Sequence, residues 1–470
     1  MNIEVKPRFA PPLDPEFLPA SLWNRAYRDA VKATGQAQGL ALALKRPSGS
    51  VSVFQTEVFP HTGDYQALNA HYVERLLKFL LWQKGGYHVT VAGDPAIANY
   101  LRTVYSPTGD RKFDYEFMGT KVYGHPMTIE SVPFEATPAS NESGSELGRH
   151  LDGCRIGFDL GGSDRKCSAV IDGEVVFTEE IVWNPYFETD PEYHFQGIND
   201  TLKRAAEKLP RVDAVGGSAA GVYVDNEVRV ASLFRGVSPD DFEKRIRRIF
   251  FDLQKLWDNI PFVVVNDGEV TALAASMSLE ANSVLGISLG TSQAGGYVTP
   301  EGTITDWLNE LAFAPVDYRQ FGPTTAPIPT DEWSGDPGVG AQYFSQQAVA
   351  RLLPSAGIDV PTDMPFAERL SHAQNLMAGG DERARKIFET IGVYLGYAIA
   401  HYADFYDLEH ALILGRVTSG EGGDIIIARA TEVLNAEFPE LAKSIKLHQP
   451  DEKSKRHGQA VAAASLPSIN

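Results

Sequence analysis

Arg155-Ile-Gly-Phe-Asp-Leu-Gly-Gly-Ser-Asp-Arg-Lys-Cys-Ser-Ala-Val170 reads as a strand, a tight glycine turn and a second strand. Gly161 and Gly162 permit backbone angles and close approaches that a side chain forbids, so their N–H groups can point at a phosphate. Ser163 adds a hydroxyl donor and Lys166 a cation. Asp159, at the strand end, suits a magnesium ion held through water, because magnesium takes few carboxylates and keeps most of its waters. Taken alone, the segment serves equally well as an ordinary hairpin turn.

A second stretch, Val284-Leu-Gly-Ile-Ser-Leu-Gly-Thr-Ser-Gln-Ala-Gly-Gly-Tyr-Val298, repeats the design with Gly290, Thr291, Ser292, Gly295 and Gly296 in or beside the turn. Two such hairpins can each grip one side of a triphosphate. Gly286-Ile-Ser288-Leu-Gly290 also fits a G-x-S-x-G nucleophile elbow, but an elbow needs a helix directly after it, and 294–298 reads as a strand. Between the hairpins, Phe262-Val-Val-Val-Asn-Asp-Gly-Glu-Val-Thr-Ala-Leu-Ala274 is an apolar strand that stops at a carboxylate and enters a helix. Asp267 there can accept the proton of an attacking hydroxyl, or it can cap the helix. Further on, 412–426 is a strand, a loop bearing Gly415 and Arg416, and a helix start capped by Asp424; such backbone suits the flat face of a purine. The helix predicted over 384–406 spaces Gly392, Gly396 and Ala400 four apart, a small-residue face expected against the sheet.

At 470 residues the chain needs two or three packed domains. A net charge of −19, with Lys and Arg scattered, argues against a nucleic-acid partner. Cys154 and Cys167 are the only cysteines and flank one strand-turn unit, which predicts two free thiols. The first residues hold prolines and acids but no apolar run, so the expectation is a cytoplasmic chain with no membrane partner. Residues 40–44 and 51–54 read as a hairpin, 65–83 as an amphipathic helix, 87–92 as a strand, and Asp94-Pro95 as a helix opening. These make a small α/β unit over 1–135 of no evident chemical role, followed by a polar linker at 136–150. Beyond it, strand hairpins alternate with crossover helices, the pattern of an α/β fold with mixed sheets covered by helices.

The motifs come in a telling order: Asp159-x-Gly-Gly-Ser-x-x-Lys166, Val215-Gly-Gly-Ser-Ala-Ala-Gly221, Val265-Asn-Asp-Gly268, Gly290-Thr-Ser-x-x-Gly-Gly296 and Leu414-Gly-Arg-Val-Thr-Ser419. Together they resemble the actin-like sugar kinases, above all the ROK family of bacterial hexose kinases, over about 155–466. The resemblance implies two actin-like lobes, 151–268 with a C-terminal helix near 455–470, and 269–454, whose two turns face each other across a cleft. It implies ATP and magnesium as cofactors and a small sugar as substrate, with Asp267 as base. Asn266, Glu310, Ser218 and Ser232 would meet the substrate. Gly161, Gly162, Ser163, Lys166, Gly290, Thr291, Ser292, Gly415 and Arg416 would hold the nucleotide, and Asp159 the magnesium ion.

Three departures stand out. Ala312 and Phe313 occupy the places of the family's Gly and His, Ser232-Leu233 replaces its Asn-Leu, and 333–345 matches its zinc loop with every cysteine replaced, so structural zinc is not expected. The N-terminal unit shows strand signals rather than a DNA-binding helix-turn-helix. The rival expectations are a noncatalytic sugar- or nucleotide-binding regulator of the same fold, and an interaction protein whose N-terminal unit docks a partner or pairs two copies as a homodimer.

Overall fold

The structure, a computed structural model, describes residues 3–63, 65–142, 147–322, 326–450 and 452–469, apart from the side chains of 452–457. Part of the expected linker, 143–146, lies outside the described residues. Two compact units emerge: 1–142 with 287–295 and 307–449, and 143–286 with 296–306 and 450–470.

In the first unit, β1 (Gln38–Lys45), β2 (Val51–Val58), β3 (His88–Ala92) and β4 (Thr128–Val132) form a sheet of order β2-β1-β3-β4. β1 pairs antiparallel with β2 and β3, and β3 parallel with β4. The Tyr65–Lys84 helix is buried along nearly its whole length, including Glu74, Arg75 and Lys78, so it is an interior helix rather than an amphipathic surface one. Asp94 caps the Pro95–Val104 helix by accepting from the Ala96 N–H at 2.8 Å.

Residues 1–142 do not stand apart, which corrects the expected boundary at 135. Phe79 stacks on Phe405 at 3.9 Å, Phe17 packs on Tyr394 at 4.7 Å, and Trp82 on Phe313 at 4.3 Å. Charges reinforce the join: Lys78 pairs with Asp114 and Asp336, and Arg111 with Glu74 and Asp336. Buried aromatic area and paired charge make this one core with 307–449.

The second unit holds β5 (Cys154–Leu160), β6 (Asp164–Ile171), β7 (Glu174–Val182), β8 (Ala214–Ala219), the ribbon β9 (Val222–Val224) and β10 (Glu227–Val230), and β11 (Phe262–Asn266). The main sheet runs β11-β8-β5-β6-β7, parallel across β11, β8 and β5 and antiparallel beyond. β5 is buried at all but one position because helices cover both faces. One cover is the Glu452–Ala464 helix, tied down where Ser168 donates to the Ala460 carbonyl at 3.3 Å and Arg155 to the Pro467 carbonyl at 2.7 Å. The Asp267–Leu279 helix falls in this unit, whereas the sequence placed it with the second lobe. Gln459 donates to Thr271 at 2.9 Å and so links it to the C-terminal helix. Cys154 and Cys167 are both free and buried, as expected.

The last sheet has the order β13-β12-β14-β15, from β12 (Val284–Leu289), β13 (Gln293–Val298), β14 (His410–Leu414) and β15 (Lys446–His448). Only Gly290-Thr291-Ser292 separate β12 from β13, so no helix follows Ser288 and the nucleophile elbow is excluded. The Glu382–Tyr402 helix carries the predicted glycines, but they meet a helix and not the sheet. A Cβ on Gly392 would lie 2.6 Å from the Arg429 Cβ, on the Glu421–Glu437 helix. Asp424 sits inside the first turn of that helix, and Gly420 takes the cap position assigned to it. No helix among the described residues is long and apolar enough to cross a membrane.

Candidate functional site

Parallel pairing of β5, β8 and β11 aligns their C-terminal ends, so Asp159, Ser218 and Asn266 arrive side by side. Ser218 donates to Asp159 Oδ1 at 2.8 Å. Across the β5–β6 hairpin, Lys166 stands opposite Asp159, with Nζ 3.9 Å from Asp159 Oδ2 and 3.2 Å from Asp164 Oδ1. Burial alone would lower the Lys166 pKa, but the two carboxylates raise it, so the amine stays charged. Burial raises the Asp159 pKa against the opposing Ser218 hydrogen bond and Lys166 charge.

Asn266, and not Asp267, caps the Asp267–Leu279 helix. Its Oδ1 accepts from the Gly268 N–H at 2.7 Å, and its Nδ2 donates to the Gly221 carbonyl at 2.7 Å. Each amide atom keeps one further hydrogen-bonding position, enough for a ligand contact. Asp267 Oδ1 also accepts from the Gly268 N–H, at 3.1 Å, and against that hydrogen bond the partly buried carboxylate has its pKa pushed up to about 6, by burial first and then by the Asp159 charge. Two carboxylates that resist joint ionisation, at the ends of strands on either side of β8, make a proton acceptor poised near neutrality.

Gly161 donates its N–H to the Asp164 carbonyl at 2.9 Å, and Trp183 braces the turn. Its Nε1 donates to the Gly161 carbonyl at 2.8 Å and its backbone N–H to the Ser163 carbonyl at 3.1 Å. A Cβ on Gly162 would lie 2.0 Å from the Tyr186 hydroxyl, and neither Gly161 nor Gly162 has a positive φ, so glycine serves packing here rather than an unusual backbone angle. Ser163 Oγ is exposed and donates to Asp164 at 2.9 Å. Ser232 is exposed in the Ser232–Phe234 turn.

In the first unit, the Gly290 carbonyl accepts from the Gln346 N–H at 2.9 Å, leaving the Thr291 and Ser292 hydroxyls exposed. A Cβ on Gly415 would lie 2.5 Å from the Leu289 carbonyl, so the Gly415–Arg416 loop abuts the strand end that launches this turn. Both nucleotide candidates in this unit are therefore adjacent, with Arg416 exposed beside them. Glu310 is partly buried, and its N–H donates to the Trp82 carbonyl at 2.9 Å. Phe313 lies among Trp82, Phe113 and Trp333, in an aromatic cluster. Among the described residues, no group of three or more His, Cys, Asp or Glu side chains is placed to hold a metal ion. A single carboxylate acting through water, as at Asp159, needs no such group.

Two residues escaped the sequence reading. Trp183 follows the edge strand β7 with no spacing signal to mark it. Tyr223, just beyond Gly221, is partly buried and close enough to Asp267 for that charge to help raise its own pKa, after the larger effect of burial.

No protein-family model matches the chain, and no curated protein does. Among solved structures, a ROK hexokinase from Thermus thermophilus superposes with a TM-score of 0.51 at 16% identity, covering 67% of this chain and 97% of that one. A ROK family glucokinase from Streptomyces griseus, solved with glucose and AMPPNP, gives 0.45 at 21% identity over 67% of this chain and 99% of its own. A ROK family transcriptional regulator, a homologue of the E. coli MLC protein, gives 0.49 at 17% identity over 71% and 82%. The hexokinase match, together with mixed sheets covered by helices, shows that this chain has a ROK-like fold.

Proposed function

We propose that this chain transfers a phosphoryl group from ATP to a hydroxyl of a sugar or sugar-like small molecule, with Asp267 as general base. One observation carries the reading: a carboxylate just past the end of β11, raised to a pKa of about 6 despite its hydrogen bond from the Gly268 N–H, near a second carboxylate bracketed by Ser218 and Lys166. A base of that pKa is ionised at neutral pH yet can still take a proton as the hydroxyl attacks. Bound Mg·ATP would supply the phosphoryl group and neutralise its developing charge. Asp159 would hold the metal's water shell, with Ser218 fixing its rotamer rather than meeting substrate. Lys166 and the Gly161–Ser163 turn would receive phosphate oxygens. Gly290, Thr291, Ser292, Gly415 and Arg416 would take the remainder of the nucleotide. Asn266, Glu310 and Ser232 would orient the acceptor, whose hydroxyl must come within about 3 Å of Asp267.

The test is turnover with ATP, magnesium and a panel of hexoses, amino sugars and polyols. Phosphorylated product that disappears in Asp267→Ala supports the proposal. No product from any acceptor, with the protein folded, refutes it.

A second reading, a sugar- or nucleotide-binding regulator without turnover, is favoured by Phe313 and its aromatic surroundings. Calorimetric binding of sugar and ATP with no product formed would select it.

A further inference from the structure

The first unit holds a pocket of about 250 Å³ walled by the β1–β2 hairpin, the C-terminal turn of the Tyr65–Lys84 helix, Trp307 and residues 403–407. The space is somewhat smaller than the ~300 Å³ lower bound of drug-sized sites and far larger than the ~30 Å³ of one water. Gln83, in its wall, is fully buried. Its Nε2 donates to the Phe405 carbonyl at 2.8 Å, which fixes the amide and leaves Oε1 as a buried acceptor with no partner among the described residues. Such an atom calls for a donor, since leaving it unmet carries a free-energy penalty.

The charges narrow the choice of ligand. Asp404 is already held by Arg25 at 3.0 Å and Arg28 at 2.8 Å. Lys84 is 3.7 Å from Glu142 and lies over the Trp307 ring, 2.9 Å from its centroid. An anion would thus find its one nearby cation already paired and would face the exposed Asp407, while an ammonium would face Lys84. Phe54 and Trp307 offer apolar ring surface, whereas Phe405 is stacked on both Phe54 and Phe79, and Lys84 takes one face of Trp307. Donor-rich, uncharged and partly apolar describes a sugar ring or cyclic polyol.

The geometry points to this pocket as a binding site for a neutral polyol of monosaccharide size, separate from the Asp267 site. Gln83 Oε1 accepts a hydroxyl, and the Phe54 ring and the open side of Trp307 pack on C–H groups. The site does not depend on the chain phosphorylating anything.

The experiment uses the full chain without nucleotide. Hexoses, pentoses, inositol and glycerol are titrated by calorimetry and by tryptophan fluorescence, to ~10 mM so that a Kd near ~1 mM registers. Saturable binding that Trp307→Ala and Gln83→Leu each weaken by ~10-fold or more is the expected result. Trp307→Phe should retain most of the affinity, which keeps the test valid if the alanine variant fails to fold. Three results would overturn the proposal: no polyol binding, binding indifferent to both pocket variants, or selective binding of an anion or an ammonium compound in place of polyols.

Discussion

Two clusters of acids in this chain, one buried and one partly buried, are treated in opposite ways. In the first unit Glu74, Asp114 and Asp336 are matched by Arg75, Lys78 and Arg111 at ion-pair distance. Burial alone would raise the Glu74 pKa, yet Arg75 and Arg111 bring it down to about 2. In the second unit Asp159 has one cation at 3.9 Å, and Asp267 is raised by burial and by Asp159 itself. Paired charge locks a scaffold. A carboxylate left without a cation, at a strand end and partly open, stores free energy that only chemistry or a ligand puts to use.

That contrast can be broken first at the paired cluster. Lys78→Ala takes the ion-pair partner from Asp114 and leaves Asp336 to Arg111, and should cost about 3–5 kcal/mol of stability, read from denaturant midpoints. A loss under about 1 kcal/mol would mean the pairs hold nothing together.

Next comes the pH dependence of stability at the unpaired site. A carboxyl whose folded pKa lies above its unfolded value takes up its proton first in the native state. Its ionisation therefore weakens the fold above pH 6, and the penalty lifts as pH falls from about 6 towards 4. The difference between wild type and Asp267→Asn isolates this group from carboxylates such as Glu74, which shift the other way. Asp267→Asn should be the more stable protein at about pH 7, by up to ~3 kcal/mol, and the gap should close near pH 4. A gap independent of pH contradicts the raised pKa.

A smaller effect sharpens the role of Ser218. Ser218→Ala removes one hydrogen bond to a carboxylate, worth ~1.5–3 kcal/mol, and frees the Asp159 rotamer. The expected outcome is weaker magnesium binding during turnover, seen as a several-fold higher half-saturating magnesium concentration, with the sugar KM little changed. An altered sugar KM alone would return Ser218 to the substrate side.

How much of this was legible in the sequence differs between the same two regions. The glycine pairs at 161–162 and 295–296, set among short apolar runs, announced both hairpins, and the apolar run from Phe262 to Val265, stopping at Asn266-Asp267, announced a strand end. Periodicity could not say which of those two residues caps the helix, because Asn and Asp cap equally well and only the fold shows that Asn266 holds the cap position, with the shorter hydrogen bond from the Gly268 N–H. The docking of residues 1–142 was not legible at all. Glu74, Arg75 and Lys78 look like a solvated helix face, and the groups that neutralise them are drawn from far along the chain: Arg111 and Asp336, which bind each other, are 225 positions apart. The small-residue face at Gly392 was visible, but a sequence cannot tell whether a sheet or a helix will fill the space beside it.

The central claim is that the Asp267 carboxylate takes the proton of the attacking hydroxyl. It is tested most directly by the kcat of Asp267→Asn on the acceptor that wild type phosphorylates, at about pH 7.5 and saturating Mg·ATP, with folding verified by its denaturant midpoint. A fall of ~100-fold or more, in a protein at least as stable as wild type, is the predicted result. A kcat within a few-fold of wild type would contradict it.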